Sequence, residues 1–285
     1  MARRRPIAVL GCGAVGSALA VGLAAAGEEL VLWSRRAARA RSTARRAGRR
    51  VRVAESPEAA LAQASLGLLC LPEEVQLELV GRLAPGGAPV LLTVSGGAPL
   101  APLARRARGR SVGRLHPLVP VLAGARVDTF HGMPFGLEGP PAALRGARRL
   151  CRELAGSPLE LRPGRAARYH AGAALLGGGL VALLALAEAA QAPAVRQPRR
   201  LRPALAAFAA RNLAQYAAHG ASGALTGPAA RGAAASVRAH LAALAGVPGA
   251  REAYRVLGLT MVALAARRGT AAPSALARVR RELAR

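Results

Sequence analysis

The sequence predicts an α/β fold, a doubly wound parallel sheet followed by an all-α half, and three observations carry that prediction. Short apolar runs of strand length alternate with segments of helical spacing through residues 1–162. A glycine-rich turn, Gly11-Cys12-Gly13-Ala14-Val15-Gly16, joins the first of those runs to the first helix. From about Arg165 onward only helical spacing remains. The expected domains are therefore a sheet domain at 1–162 and a helical domain at 163–285.

In order, Ile7–Leu10 is the first strand, and the glycine turn opens a helix over Ala14–Ala26. Leu30–Trp33, Val51–Val53, Leu66–Leu71, Pro89–Val94, Ser111–Leu115 and Phe135–Glu138 follow as strands, with connections such as Glu74–Leu83 spaced as helices. Strands joined through helices run parallel, because a parallel pair needs a crossover. The helical half reads as Ala166–Ala190, Arg202–Ala218, Ala229–Ala245, Arg251–Arg267 and a terminal helix from Ser274. Pro193, Pro198 and Pro203 break the chain between the first two. Pro228 suits the first turn of the third, with Thr226 or Gly227 near its cap. The apolar stretch Ala171–Ala187 is 17 residues long, just short of a membrane-span candidate, and its small residues suit close packing in a dimer.

Composition removes several function classes. With 52% apolar and 19% charged residues in 285, the chain is too apolar for disorder. Basic residues number 41 against 14 acidic ones, a net charge of +27, and every basic residue is Arg. Alongside abundant Ala, Gly and Pro, all with GC-rich codons, that charge reads as genomic bias and is spread along the chain. Aromatics are 2%, so stacking platforms for single-stranded nucleic acid are largely missing and a nucleic-acid partner is disfavoured. The absence of Lys excludes Schiff-base chemistry and the phosphate loop ending in Gly-Lys-Ser/Thr. Cys12, Cys70 and Cys151 form no Cys-x-x-Cys pair, so neither a disulfide framework nor a metal site is expected, and the cytoplasm is the expected compartment. Arg3-Arg4-Arg5 before the apolar run Ile7–Gly27 imitates a leader, but the glycine pattern within that run is better read as the turn described above.

That turn is the strongest chemical signal. Gly11 permits the tight bend, Gly13 lets backbone amides approach a pyrophosphate, and Gly16 allows helix to pack on strand. The helix N-terminus adds partial positive charge, while Cys12, Ala14 and Val15 fill the loop. At the end of the second strand, where an acid would accept from the ribose of NAD, the chain has Ser34-Arg35-Arg36. A hydroxyl and two guanidinium groups suit a 2′-phosphate, so NADP is the expected cofactor. Leu71-Pro72 after the fourth strand should border the adenosine half, and Ser95 after the fifth should lie near the nicotinamide, contacting it or a substrate. His116, closing the sixth strand, is a candidate proton donor or carbonyl polariser.

These residues, with Ser95-Gly96, Gly113–Leu118, Tyr169-His170-Ala171 and Ala224–Gly232, carry a resemblance over nearly the whole chain. The sequence resembles bacterial Rossmann-like proteins whose C-terminal half is a domain of unknown function, relatives of pyrroline-5-carboxylate reductase, ketopantoate reductase and 6-phosphogluconate dehydrogenase-like enzymes. The resemblance implies an NADP-binding domain, a helical dimerising domain and a site in the cleft between them. Three departures stand out. Arg231-Gly232 is followed by Ala233 where the family pattern has Asp. Gly177-Gly178-Gly179 replaces a Ser-Asn on the long helix, and Leu92-Thr93-Val94-Ser95 lacks a His at the fifth strand's end.

The helical half offers its own polar candidates. His170 stands at the start of the long helix, Asn212 is the chain's one Asn in an otherwise apolar helix, and Arg231 can bind a carboxylate bidentately. Ser236 and His240 share a face four residues apart. The expected function is NADP-dependent hydride transfer to or from a small carbonyl, imine or alcohol substrate, an anionic one being suited to Arg231. Ser95, Asn212 and Arg231 would hold it, with His116 or His170 moving the proton. The first alternative is a noncatalytic NADP-binding or sensing protein, and the least favoured is an Arg-driven nucleic-acid binder.

Overall fold

Strands buried on both faces read as unbroken apolar runs, and the first strands of this chain do so. The computed structural model describes residues 5–124, 126–269 and 271–285. It divides into two units, residues 1–175 and 176–285, with the boundary inside one long helix.

In the first unit, β1 (Ile7–Leu10), β2 (Leu30–Trp33), β3 (Val51–Val53), β4 (Leu66–Leu69), β5 (Val90–Thr93), β6 (Ser111–Pro117), β7 (Pro134–Glu138) and β8 (Ser157–Glu160) form one sheet in the order β3-β2-β1-β4-β5-β6-β7-β8. Strands β1 to β6 pair parallel. The connecting helices are α1 (Ala14–Ala25), α2 (Ala37–Ala47), α3 (Pro57–Ala62), α4 (Glu73–Arg82), α5 (Leu100–Arg106) and α6 (Pro141–Glu153). Successive strand residues feed opposite cores. Ile7 and Val9 pack with Leu19 and Leu23 of α1 and Ala147 and Leu150 of α6, whereas Ala8 and Leu10 pack with Leu61, Val80 and Leu103 from α3 to α5. The sheet is thus covered by helices on both faces, as expected from the alternation.

Its far edge departs from the all-parallel expectation. Among the described residues no helix lies between β6 and β7, and the two pair antiparallel; β8 then pairs parallel to β7 after the α6 crossover. β8 escaped the sequence reading because Ser-Pro-Leu-Glu is exposed throughout and has no apolar alternation to detect. Its proline is tolerated at the sheet edge.

Helix α7 (Ala166–Gln191) leads into the second unit, which holds α8 (Leu201–Ala224), α9 (Ala234–Ala243), α10 (Ala250–Arg268) and α11 (Pro273–Ala284). Val237, Leu241, Val262, Leu276, Val279 and Leu283 form its core. α8 kinks at Gly220, close to where the helical spacing stopped. The expected helix start at Pro228 is corrected: residues 228–232 are turns, Gly232 at φ +75° interrupts any helix, and α9 begins after Ala233, so Thr226 caps nothing. α7 matches the expected Ala166–Ala190 to within one residue, but the expectation that its apolar stretch falls just short of a membrane span is corrected. Its most apolar window has mean hydropathy 1.9 and is unburied within the chain, with Leu175, Leu176 and Val181 exposed, so by length and composition it could cross a membrane.

Candidate functional site

The turn after β1 is built as the glycines require. Gly11 sits at φ +103°, and a Cβ there would lie 2.3 Å from the Cys70 carbonyl oxygen. At Gly16 a Cβ would lie 1.9 Å from the Gly11 oxygen, so α1 can pack on the turn only without a side chain. Gly13 differs, because a Cβ there would meet nothing within 4 Å. Its lack of a side chain therefore answers no packing demand of the protein and leaves open the approach to the α1 N-terminus. Val15 packs against the core below, and Cys12 is buried beside Ser17, whose hydroxyl donates to the Cys12 carbonyl and pairs with Thr43 at 2.9 Å. Burial raises the Cys12 thiol to about 11 and pushes Cys70 up as well, so neither is a nucleophile near neutral pH.

A hollow of about 310 Å³ lies along this turn, lined by Cys12, Gly13, Ala14, Arg39, Ser42 and Arg46 among others. Ser34 is half-buried at the end of β2, and Arg35 and Arg36 are exposed beyond it, neither with an ion-pair partner among the described residues. Leu71 reaches the turn from β4, its Cδ2 beside Gly11, while Pro72 caps α4 on the exposed side. These residues fit a dinucleotide: an open amide cradle, a helix N-terminus and a cationic corner at the second strand's end. Arg39 lines the same hollow and was missed; its position one turn after Arg35 was the available signal.

The expectation of evenly spread charge is corrected here. Arg39, Arg41, Arg45 and Arg46 on α2, flanked by Arg35, Arg36, Arg49, Arg50 and Arg52, are all exposed, in a segment without an acid.

The second cluster forms where β5 and β6 end. In the antiparallel register His116 faces Gly136 and Arg114 faces Glu138. Because Gly136 has no side chain, Tyr169 of α7 packs there: a Cβ would lie 2.7 Å from its hydroxyl. That hydroxyl meets His116 Nδ1 at 3.0 Å, and the His116 ring stands edge-on to His170, centroids 5.4 Å apart. Gly96 completes the packing, since a Cβ there would fall 2.3 Å from His170 Nδ1 and 2.7 Å from His116 Nε2. Burial, then the neighbouring His170 and Arg114, lower His116 to about 4, which leaves it neutral near pH 7. Burial raises Tyr169, which stays protonated. His170 is exposed. Ser95 is half-buried; its amide donates to Thr93 Oγ1 at 3.0 Å, and its carbonyl accepts from Arg114.

The structure thus brings Ser95, His116 and His170 together and adds Tyr169, whose role the sequence reading did not assign. Asn212 and Arg231 belong to the second unit. Asn212 is exposed on α8, its Nδ2 donating to the Phe208 carbonyl at 3.1 Å, and Arg231 is exposed in the turn before α9. His240 pairs with Tyr254 at 2.8 Å beside an apolar groove of α7, α9 and α10. Among the described residues no group of His, Cys, Asp or Glu could hold a metal.

A glycine-rich turn in this sheet, with an open amide cradle, defines the class of Rossmann-fold dinucleotide-binding proteins. Residues 6–95 match the family described as NADP oxidoreductase coenzyme F420-dependent, and residues 133–261 match the Domain of unknown function (DUF2520). An N-terminal match to one family and a C-terminal match to the other is the arrangement that the resemblance implied. No curated protein matches it. Among solved structures, a provisionally named NADP oxidoreductase from Bacteroides fragilis is 19% identical, TM-score 0.72, over 90% of this chain and 98% of that one. An imine reductase from Pseudomonas sp. is 22% identical, TM-score 0.65, over 94% and 96%. A reductive aminase from Aspergillus terreus, solved with NADPH and ethyl-5-oxohexanoate, is 19% identical, TM-score 0.59, over 99% and 93%. At these identities the likeness is one of fold.

Proposed function

We propose that this protein is an NADP-dependent oxidoreductase acting on a small carbonyl, imine or alcohol substrate. The observation that carries the reading is Gly13: an open amide cradle that no packing demand explains, beside the Ser34-Arg35-Arg36 corner. In this reading Gly11 to Gly16 and the α1 N-terminus hold the pyrophosphate, Ser34, Arg35 and Arg36 hold the 2′-phosphate, and Leu71 and Pro72 border the adenosine. When bound, NADPH supplies the hydride.

This chain's own residues handle the proton. Neutral His116 accepts the Tyr169 hydroxyl hydrogen at Nδ1, which places the ring hydrogen on Nε2 and holds both side chains in place. His116 is then a poor acid. His170, packed edge-on against it and open to solvent, delivers the proton that a carbonyl oxygen or imine nitrogen takes up, and recovers it from water. Ser95 orients the reacting group. The three free thiols fit a reducing cytoplasm. The bare apolar face of α7 is covered by a second copy of the chain, giving a homodimer.

The test is NADPH consumption by purified protein against cyclic imines, keto esters and ketone–amine pairs, with His170→Ala beside the wild type. The imine and keto-ester probes follow from the chemistry named for the structural neighbours. Turnover that falls at least tenfold in His170→Ala supports the reading. Tight NADPH binding with no turnover on any probe favours a noncatalytic NADP-binding protein, for which Ala233 and Gly178 in place of the family's polar residues speak.

A further inference from the structure

We infer that the buried Arg114–Glu138 ion pair is a positioning device, which fixes the Ser95–Ala98 loop against the histidines and ties it to the turn that launches Tyr169 and His170. The inference rests on the proposed function and assigns residues that reading leaves without a role.

Arg114 is wholly buried and Glu138 nearly so. Burying two charges is costly, and a buried ion pair stabilises a fold little better than apolar residues of the same shape, so stability alone is a weak reason for it. Its hydrogen bonds show what else it does. Arg114 Nε donates to Glu138 Oε2 at 3.2 Å, while its two terminal nitrogens donate to the carbonyls of Ser95 and Ala98, at either end of the Gly96-Gly97 segment. The other carboxylate oxygen, Glu138 Oε1, accepts from the Gly164 amide at 3.0 Å, two residues before α7 begins. One pair thus joins the β5–α5 loop, one rung of the β6–β7 ladder, and the α7 entrance.

The register explains why this pair serves the site. Arg114 faces Glu138 and His116 faces Gly136, so the pair and the His116–Tyr169 bond occupy the same face of the same ladder, two residues apart. Gly96, held between the two carbonyls that Arg114 grips, leaves no room for a methyl against His116 or His170. A small shift of that loop therefore moves both rings. Only a guanidinium can do this, since it presents donors in three directions from one plane, which an ammonium cannot.

The test uses full-length Arg114→Lys and Glu138→Gln, read by amide hydrogen exchange, by 2′,5′-ADP binding and by turnover. The nucleotide fragment reports the adenosine corner, which the pair does not touch. For Arg114→Lys we expect unchanged 2′,5′-ADP binding, at least tenfold faster exchange across Gly96–Ala98, and kcat lowered by about 100-fold with KM little changed, the loss typical of a misplacement near 1 Å. Glu138→Gln, which keeps an acceptor for Gly164, should show a smaller loss of the same kind. If Arg114→Lys fails to fold, Glu138→Gln decides by the same readouts. Exchange and kcat at wild-type values in the folded variants would overturn the inference, as would loss of 2′,5′-ADP binding in parallel with kcat. Should the wild type turn over no probe, the proposed function fails, and the exchange at Gly96–Ala98 still decides the clamp.

Discussion

Two glycines of the same turn should respond differently to the same methyl group. At Gly16 the added Cβ would lie 1.9 Å from the Gly11 oxygen and 2.9 Å from Cys70 Cβ, against an ordinary contact of 3.4 Å or more. Backbone must therefore move by roughly 1 Å or more, and overpacking of that kind costs about 1–3 kcal/mol. At 2 kcal/mol, the melting temperature of a domain this size falls by about 4–8 °C. Gly13 lies in the extended region at φ −76° and its Cβ meets nothing, so Gly13→Ala should leave stability unchanged or raise it by about 0.4–1 kcal/mol. The methyl would nevertheless occupy the pyrophosphate approach, and NADPH should bind at least tenfold more weakly, a loss of about 1.4 kcal/mol or more. Trp33, the chain's one tryptophan, stands immediately before Ser34, so its fluorescence can follow the titration while a thermal melt reports the fold. Gly16→Ala should lose both stability and binding; Gly13→Ala should lose binding alone. A Gly13→Ala protein that binds NADPH as the wild type does would refute the cradle.

Reversing two charges in Arg35→Glu/Arg36→Glu should abolish discrimination at the second strand's end. Charge-assisted contacts contribute about 1.5–3 kcal/mol each, and at these exposed positions the lower value applies, so the preference for NADPH over NADH should fall by about 100-fold in parallel titrations. Acid should destabilise the protein through His116: the unfolded chain binds a proton near 6.5 and the folded one near 4, so stability is complete above pH 6.5 and is lost as pH falls toward 4. The loss is at most about 3 kcal/mol, and His116→Gln should show a flatter dependence of melting temperature between pH 7 and 4.5; equal slopes would remove the burial argument. Light scattering at micromolar concentration should give twice the chain mass of 29.0 kDa, and a monomer would leave the bare face of α7 without the partner assigned to it.

The parts of the fold visible in the sequence are those written in local patterns. The apolar runs Ile7–Leu10, Leu30–Trp33, Leu66–Leu69 and Val90–Thr93, separated by helical spacing, announce buried parallel strands, and the Gly11–Gly16 turn announces itself by spacing alone. β8 was invisible because an exposed edge strand has no apolar signature, and the reversal at β7 because it follows from a missing crossover helix rather than from any residue. The α9 start was misplaced because Pro228 fits a first helical turn equally well in isolation, and only the left-handed Gly232 ends that possibility. In the site, His116 and His170 were legible as strand-end and helix-start histidines. Tyr169 and Arg114 were not, since their roles depend on Gly136 and Glu138 lying opposite in a β6–β7 register that no local pattern encodes.

Hydride transfer from NADPH at the Ser95–His170 cluster is tested most directly by isotope transfer. The protein would be incubated with NADPH deuterated at C4 of the nicotinamide and with each imine and keto-ester probe, and the products weighed by mass spectrometry. The account predicts a product carrying one deuterium on the former imine or carbonyl carbon, formed by the wild type and at least tenfold more slowly by His170→Ala. NADPH bound tightly, with no deuterium in any product, would contradict it.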